Sequence, residues 1–173
     1  MGLPNKLKNF LCHKGTGAQM TYQGKITEVT LPKLTRKLED SRGGGMDGTV
    51  KIDLGQENME MTLKAGGFLS DLYRDFAAPG IDSVALRFSG AYQRDDTCEV
   101  QAVEIFARGR LSEIDPGSAK PGDAGEETFK YDLNYYRLSV DGVPLVEIDV
   151  AKMICIVDGI DRMAEIRTAI GMF

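Results

Sequence analysis

The side chains best suited to catalysis are sparse in this sequence and stand in unfavourable surroundings. His13 is the only histidine, and it lies in a polar segment without a carboxylate-rich neighbourhood. Because many catalytic and metal sites rely on imidazole, one isolated histidine argues against both. Asp95 and Asp96 are adjacent, so in a strand they would point to opposite faces, and such a pair is more typical of a turn between strands.

The common sequence motifs of catalytic, metal-binding and nucleotide-binding sites are also absent. The sequence contains no zinc-ligand spacing, no H-E-x-x-H helix, no G-x-S-x-G elbow and no Walker loop. We therefore predict no catalytic residue, no metal ligand and no bound cofactor. An enzyme, for example a hydrolase using Asp95, Asp96 or Glu104, is an alternative that a screen for hydrolysis would test.

Two pairs of charged residues are interpreted as surface or contact residues and not as catalytic groups. Arg108 and Arg110 flank Gly109 on one face of a predicted strand, where they are candidates for ion pairs between subunits. They are too few to form a track for phosphates. Glu126 and Glu127 follow a glycine-containing loop, and we interpret them as the solvated start of a strand.

The overall composition limits the class of protein. The chain has 173 residues, a formal net charge of -5 and an isoelectric point near 5.0, which argues against a dedicated nucleic-acid binder. No segment approaches the roughly 20 apolar residues of a membrane helix, and the first 14 residues lack the apolar stretch of a signal peptide. We expect a protein made and kept in the cytoplasm, with its three cysteines reduced.

Alternating apolar residues predict a mainly antiparallel β protein. The pattern is clearest where Val84, Leu86 and Phe88 alternate with polar or small residues, and similar half-buried strands are predicted around Val29, Ile52 and Met61. Further strands are predicted over 100–110, 128–140, 145–150 and 153–157. Turns between them are indicated by Asp-Gly pairs at 47–48, 141–142 and 158–159.

Helical spacing appears in two short segments. One side of the first segment, which ends at Pro79-Gly80, carries an apolar stripe of Phe68, Leu69, Leu72, Tyr73 and Phe76. The second segment is C-terminal, where Asp158 is predicted to cap a helix that Gly171 terminates. We expect both helices to pack on the sheet, and we expect residues 115–125, which contain two Pro-Gly pairs, to form a surface loop.

A glycine-rich segment interrupts the predicted hairpin of residues 34–55. It consists of Arg42, Gly43, Gly44, Gly45, Met46, Asp47 and Gly48. A phosphate-binding loop requires a helix directly after its glycines, and none is predicted here. The segment is therefore either a flexible hairpin tip or an arm that bends to meet a neighbouring subunit.

Several blocks of sequence resemble the major tail tube proteins of contractile-tailed bacteriophages (myophages) and R-type pyocins. The resemblance begins at Glu28–Leu34 and continues through Gly43–Asp47 and Val50–Gly55. It returns at 86–93, 107–117, 135–138 and 146–149, and ends at 158–161 and 170–171. The blocks keep their order from about residue 22 to the C-terminus, whereas residues 10–20 depart from the family pattern.

The resemblance implies one tail tube domain over residues 1–173, an antiparallel β-sandwich or barrel-like fold with a flanking helix and a short C-terminal helix. It implies an N-terminal arm over 1–20 and an inter-ring assembly loop of Lys37, Glu39 and Arg42–Gly48. Copies would form hexameric rings that stack into a tube, the conduit for genome delivery. Expected partners are the sheath, the tape measure protein and a baseplate initiator, with DNA only in transit and no stable membrane binding.

The resemblance also implies a location, and two other functions are alternatives to it. The protein would belong to the virion tail and assemble in the host cytoplasm. A monomeric β-domain adaptor and a component of a type VI secretion-like tube are alternatives. The choice between phage and bacteriocin stays open, as do the host and the residues that line the lumen, because alternation defines two faces without assigning them.

Overall fold

The computed structural model describes residues 2–15 and 21–172, which form eleven strands and two short helices. The expected N-terminal arm therefore falls partly outside the described residues, and its described part includes a strand of the sheet. The strands are β1 Lys6–Lys14, β2 Ile26–Thr30, β3 Arg36–Ser41, β4 Val50–Gln56, β5 Met59–Ala65, β6 Val84–Gln93, β7 Val100–Asp115, β8 Glu127–Val140, β9 Val143–Asp149, β10 Ile154–Val157 and β11 Ile160–Asp161. The helices are α1 Ser70–Tyr73 and α2 Ala164–Ala169.

Every strand pairing is antiparallel, which confirms the predicted fold class. Nine strands form one sheet in the order β1-β6-β7-β8-β9-β10-β11, with β5 also paired to β8 and β2 paired to β5. Strands β3 and β4 form a separate two-stranded sheet. The main sheet thus branches at β8, whose first half pairs with β5 and whose second half pairs with β9.

A bulge in β8 makes this branching possible. Gly109 of β7 pairs with Leu133 and Arg108 pairs with Tyr135, so Asn134 is left outside the ladder. The extra residue reverses the alternation of β8, and Phe129, Tyr131 and Tyr136 are all buried as a result. The two strands approach so closely at the bulge that a Cβ atom on Gly109 would lie 1.9 Å from the carbonyl oxygen of Asp132.

The inward faces of the branched sheet enclose one hydrophobic core. Its strand residues alternate as predicted on β5 and β6, where Met61, Leu63 and Phe88 are almost completely buried. Leu72 of α1 is fully buried against this core, and the ring of Tyr73 meets that of Phe129 edge-on at 5.4 Å. Helix α1 therefore closes the core, although it has only four residues.

The predicted first helix is shorter than its apolar spacing indicated. Ala77 has a φ of 61°, and the backbone after Tyr73 makes isolated turns in place of further helical bonds. Leu69 and Leu72 are buried, whereas Phe68 and Phe76 are 75% and 57% exposed. The apolar residues at each end of the stripe therefore lie on the surface.

The prediction for the second helix was wrong at its beginning. Asp158 and Gly159 have φ values of 51° and 79° and form the tight turn between β10 and β11, so Asp158 caps no helix. Helix α2 starts after Met163, whose backbone N–H donates to the Asp161 carboxylate. Asp161 also pairs with Arg167, which anchors the helix to the preceding strand.

We expect Gly109→Ala to lower the free energy of unfolding by about 3 kcal/mol, because the new methyl group collides with backbone that cannot move aside. Gly44→Ala is the matched control, since a Cβ there meets no atom within 4 Å and its effect should stay within about 0.5 kcal/mol. Chemical denaturation of the unassembled subunit measures both. Equal stability of the two variants would contradict the close approach at the bulge.

Candidate assembly interface

The hairpin of β3 and β4 carries all of the predicted inter-ring residues. Neither strand hydrogen-bonds to the main sheet, and most of its residues are exposed. Lys37 and Glu39 lie on β3, and the glycine-rich segment forms the connection to β4. Among the predicted residues only Met46 is partly buried. The structure therefore brings these residues together on one exposed element.

The hairpin has two chemically different faces. On one face, the Arg36 Nε atom lies 2.9 Å from Asp53 Oδ2, and the Lys51 Nζ atom lies 2.6 Å from Asp40 Oδ1. Val50 and Ile52 of β4 lie on the other face, and Leu54 follows at a bulge that leaves it outside the ladder; we call these three apolar residues the β4 apolar row. Its members Val50, Ile52 and Leu54 are 52%, 48% and 51% exposed.

The exposure of the β4 apolar row corrects the sequence-based prediction of a half-buried strand. Alternation of apolar and polar residues shows that one face of a strand needs cover, but it does not show which molecule supplies the cover. In the described part of this chain, no strand of the main sheet pairs with the hairpin. No signal in the sequence distinguishes β4 from β5, whose matching face is buried.

The base of the hairpin is held by Asp53. Its Oδ1 atom accepts a hydrogen bond from the backbone N–H of Gly55 at 2.9 Å, and both its oxygens accept from Arg36 Nε. Arg36 first, and then the Gly55 N–H, lowers the pKa of Asp53. Above the ordinary pKa range of a carboxyl group, Asp53 is fully ionised and its ion pair with Arg36 is fully formed. The ion pair is lost as the pH falls through the lowered pKa of Asp53.

The tip of the hairpin contains a tight turn over residues 43–46. The backbone N–H of Met46 donates to the Gly43 carbonyl at 3.3 Å, and Gly45 has a φ of 82°. Gly44 does not have a positive φ. A positive φ only at the third position is the geometry of a type II turn. Within the glycine run, the turn therefore requires glycine at position 45 but not at position 44.

Arg108 and Arg110 make contacts within their own chain. The guanidinium of Arg108 stacks on the ring of Tyr135, with 4.2 Å between its central carbon and the ring centroid. Arg110 donates from Nε and Nη2 to the backbone carbonyl of Gly80, at 3.1 and 2.6 Å. Neither forms an ion pair in the described residues. Their predicted role between subunits stays a prediction.

The main sheet leaves two neighbouring edges with unpaired backbone groups. Strand β1 pairs with β6, and in the described residues its other edge is bonded near Cys12 and His13, where the Tyr22 N–H donates to the Cys12 carbonyl and His13 bridges to Thr21; β2 pairs with β5 on one side. Between them lies a groove of about 620 Å³, whose walls include Phe10, Leu11 and Ile26. Exposed strand edges of this kind can pair with another polypeptide unless the protein covers them.

Comparison with known proteins identifies the family of this chain. Residues 4–171 match the family described as phage tail tube protein FII. The chain belongs to this family. It is 45% identical to the tail tube protein of Escherichia phage P2 over 175 aligned positions, which cover 99% of this chain and 100% of the relative. It is 41% identical to the major tail tube protein of Serratia phage KSP20, with 92% and 91% of the two chains covered.

Solved structures confirm the architecture of the tail tube fold. A chain of the sheath–tube complex of an extracellular contractile injection system, PVC, in its extended state superposes with a TM-score of 0.58. It is 12% identical and covers 79% of this chain and 91% of its own length. A chain of the anti-feeding prophage cap gives a TM-score of 0.58 at 13% identity, with coverages of 82% and 93%.

The structure also shows where the other residues considered in the sequence analysis lie. Asp95 and Asp96 lie in the turn between β6 and β7, where Asp95 pairs with Lys8 and Asp96 pairs with Arg94. His13 is buried on β1, and burial lowers its pKa. Cys12, Cys98 and Cys155 form no disulfide. In residues 2–15 and 21–172, no helix is long and apolar enough to span a bilayer.

Replacing Asp53 by asparagine should loosen the hairpin while leaving the core intact. The substitution removes the carboxylate that binds Arg36, and the hairpin contributes no residue to the hydrophobic core. We expect faster proteolytic cleavage within residues 36–56 and an unchanged midpoint of thermal unfolding for the unassembled subunit. Asp40→Asn is the control, because Asp40 pairs with Lys51 alone and has no bond to the backbone of the hairpin. Equal cleavage of the Asp53→Asn variant and the native chain would contradict this role.

Proposed function

We propose that this protein is the structural subunit of the inner tube of a contractile tail, in a phage or in a phage-tail-like bacteriocin. Copies close into hexameric rings, and the rings stack into a hollow tube within the sheath. In a phage, that tube is the conduit for genome delivery. The relatives named as tail tube proteins of two phages support this function, and the fold shared with chains of contractile injection systems supports the contractile context.

The single observation that carries the proposal is the β4 apolar row. Three large apolar side chains remain about half-exposed on a two-stranded hairpin, although such hairpins are only marginally stable alone in water. Contiguous exposed apolar surface is typical of a protein interface. A neighbouring copy that covers this row would bury apolar surface and hold the hairpin in one orientation.

The free sheet edges supply a second kind of contact. Pairing of an edge of one copy with a different edge of the next is a heterologous contact, which closes into a ring when the rotation between copies divides a full turn. The same type of contact along the axis does not close and gives open growth. Edges at β1 and β2 are available for pairing around the ring, and the hairpin is available for stacking.

The remaining partners are those that membership of the tail tube family implies. The sheath packs around the outside of the tube, the tape measure protein occupies the lumen during assembly, and a baseplate initiator nucleates the first ring. DNA only passes through, consistent with a net charge of -5 that gives phosphates no general attraction. The protein functions in the virion tail after assembly in the host cytoplasm, and Arg108 and Arg110 are candidates for ion pairs between subunits.

Negative-stain electron microscopy over a concentration series tests the proposal. The native chain should form rings or hollow tubes, and a variant lacking residues 42–48 should form no tubes, because its hairpin has lost the tip that bridges rings. Addition of a purified baseplate end provides a template if spontaneous nucleation is slow. Uniform monomers at every concentration, even on that template, would contradict the tube and favour a monomeric adaptor.

Proline at the hairpin tip should have opposite effects at two adjacent positions. Proline suits the second position of a type II turn, so Gly44→Pro should favour the assembled shape of the tip and speed nucleation by about twofold to fivefold. Gly45→Pro forces a φ near -65° where the turn has 82°, and it should suppress stacking. Light scattering during assembly measures both rates. Equal rates for the two variants would show that the turn is not retained in the tube.

A further inference from the structure

A pocket beside the loop of residues 115–125 contains a carboxylate without a cationic partner. The pocket has a volume of about 390 Å³, and its lining includes Phe68, Pro116, Lys120, Pro121 and Glu127. Glu127 is the first residue of β8 and is only 8% exposed. Its Oε2 atom is fully buried and receives no hydrogen bond from the described residues. The expectation that Glu127 is a solvated residue at a strand terminus was therefore wrong.

The neighbours of Glu127 do not supply a positive charge. Lys64, which lies near this end of the sheet, contacts Glu28 and Glu126 at 3.7 and 3.6 Å instead. Lys120 lines the pocket but forms no ion pair with Glu127. The phenol of Tyr73 is a neutral neighbour of Glu127; burial raises the pKa of Tyr73 most, and a hydrogen bond to the Glu127 carboxylate and its charge raise it further. A neutral hydroxyl does not balance the charge of a buried carboxylate, so the site can still take a cation.

The carboxylate and the aromatic ring beside it favour a cationic side chain as the group that binds in this pocket. A carboxylate forms its strongest hydrogen bonds with a guanidinium or ammonium group. Phe68 is 75% exposed and stacks on Tyr73 with 5.2 Å between ring centroids, so it presents a free aromatic surface beside the carboxylate. Aromatic faces also attract cations, and the planar guanidinium of arginine suits both contacts at once.

The pocket and the hairpin lie at opposite ends of the subunit along β5, so they would face each other in a stack of subunits. Strand β5 follows directly after the hairpin and begins at Met59, which pairs with Leu133. It ends at Ala65, which pairs with Glu127. The hairpin base and the pocket therefore lie at opposite ends of a seven-residue strand, roughly 20 Å apart. In a head-to-tail stack, one end of each copy faces the opposite end of the next.

Lys37 and Arg42 are the two cations of the hairpin that form no ion pair with any described residue, and of these Arg42 lies at the tip. Arg36 and Lys51 are already paired with Asp53 and Asp40 on the hairpin itself. Arg42 is exposed at the tip and forms no ion pair with any described residue. We propose that the Glu127 pocket receives the Arg42 side chain of a second copy in the adjacent ring. This inference rests on the proposed stacking of subunits and identifies the site that receives the hairpin tip.

A double-mutant cycle with Glu127→Gln and Arg42→Gln tests the contact. Each single substitution should slow tube elongation about tenfold, and the double variant should be no slower than either, because both remove the same ion pair. The free Glu127→Gln subunit should unfold at the same temperature as the native chain or higher, since it has lost only a buried charge without a cationic partner. A merely structural role for Glu127 would lower that temperature instead.

Neighbouring residues provide matched controls. Glu126→Gln changes the adjacent carboxylate, which is exposed and contacts Lys64, and it should leave elongation unchanged. Additive effects of the Glu127 and Arg42 substitutions would overturn the inference, as would native elongation by the Glu127→Gln variant. Coupling of Glu127 to Lys120 in the stability of the free subunit would also overturn it, by identifying a partner within the chain. Failure of the native chain to assemble would instead overturn the proposed function.

Discussion

The close contact of Gly109 with the bulge in β8 is the constraint on which the rest of this structure depends. An ordinary strand offers one partner on each side, but β8 has to pair with β5 in its first half and β9 in its second half. The extra residue at Asn134 reverses the alternation and bends the strand, so both halves direct large side chains into the same core. This is possible only because Gly109 has no side chain at the point of closest approach.

The residues that form the core of the branched sheet are different from those proposed to make contacts between subunits. Its core is built from β1, β2, β5, β6, β7, β8, β9 and α1, and the hairpin of β3 and β4 contributes no residue to it. Assembly residues can therefore change or move without unfolding the subunit. The hairpin gains its own rigidity from local contacts at its two ends, the Asp53 cluster at the base and the type II turn at the tip.

Several groups in the free subunit are left in unfavourable surroundings. The β4 apolar row faces water, the outer edge of β2 and the first part of the outer edge of β1 are unpaired, and the buried Oε2 atom of Glu127 has no hydrogen-bond donor in the described residues. Each costs free energy in the isolated chain, and each would be relieved by the proposed contacts with another copy. Such features are expected of a subunit whose most stable state is an assembly, because the free energy lost in the monomer increases the drive to assemble.

The sequence by itself determined the antiparallel β class, the inward faces of β5 and β6, the Asp-Gly turn at 141–142 and the family, because these depend on local periodicity, turn chemistry and ordered motifs. Only the tertiary structure decided which apolar faces are covered: Ile52 and Met61 stand in the same alternating pattern, yet only Met61 meets the core. It also decided between the two sequence-based predictions for Asp158, a turn with Gly159 and a helix cap, since β11 pairs with β10 before the helix begins. Burial of Glu127 likewise depends on the position of a distant loop and on Phe68, and such long-range contacts leave no periodic signal in the sequence.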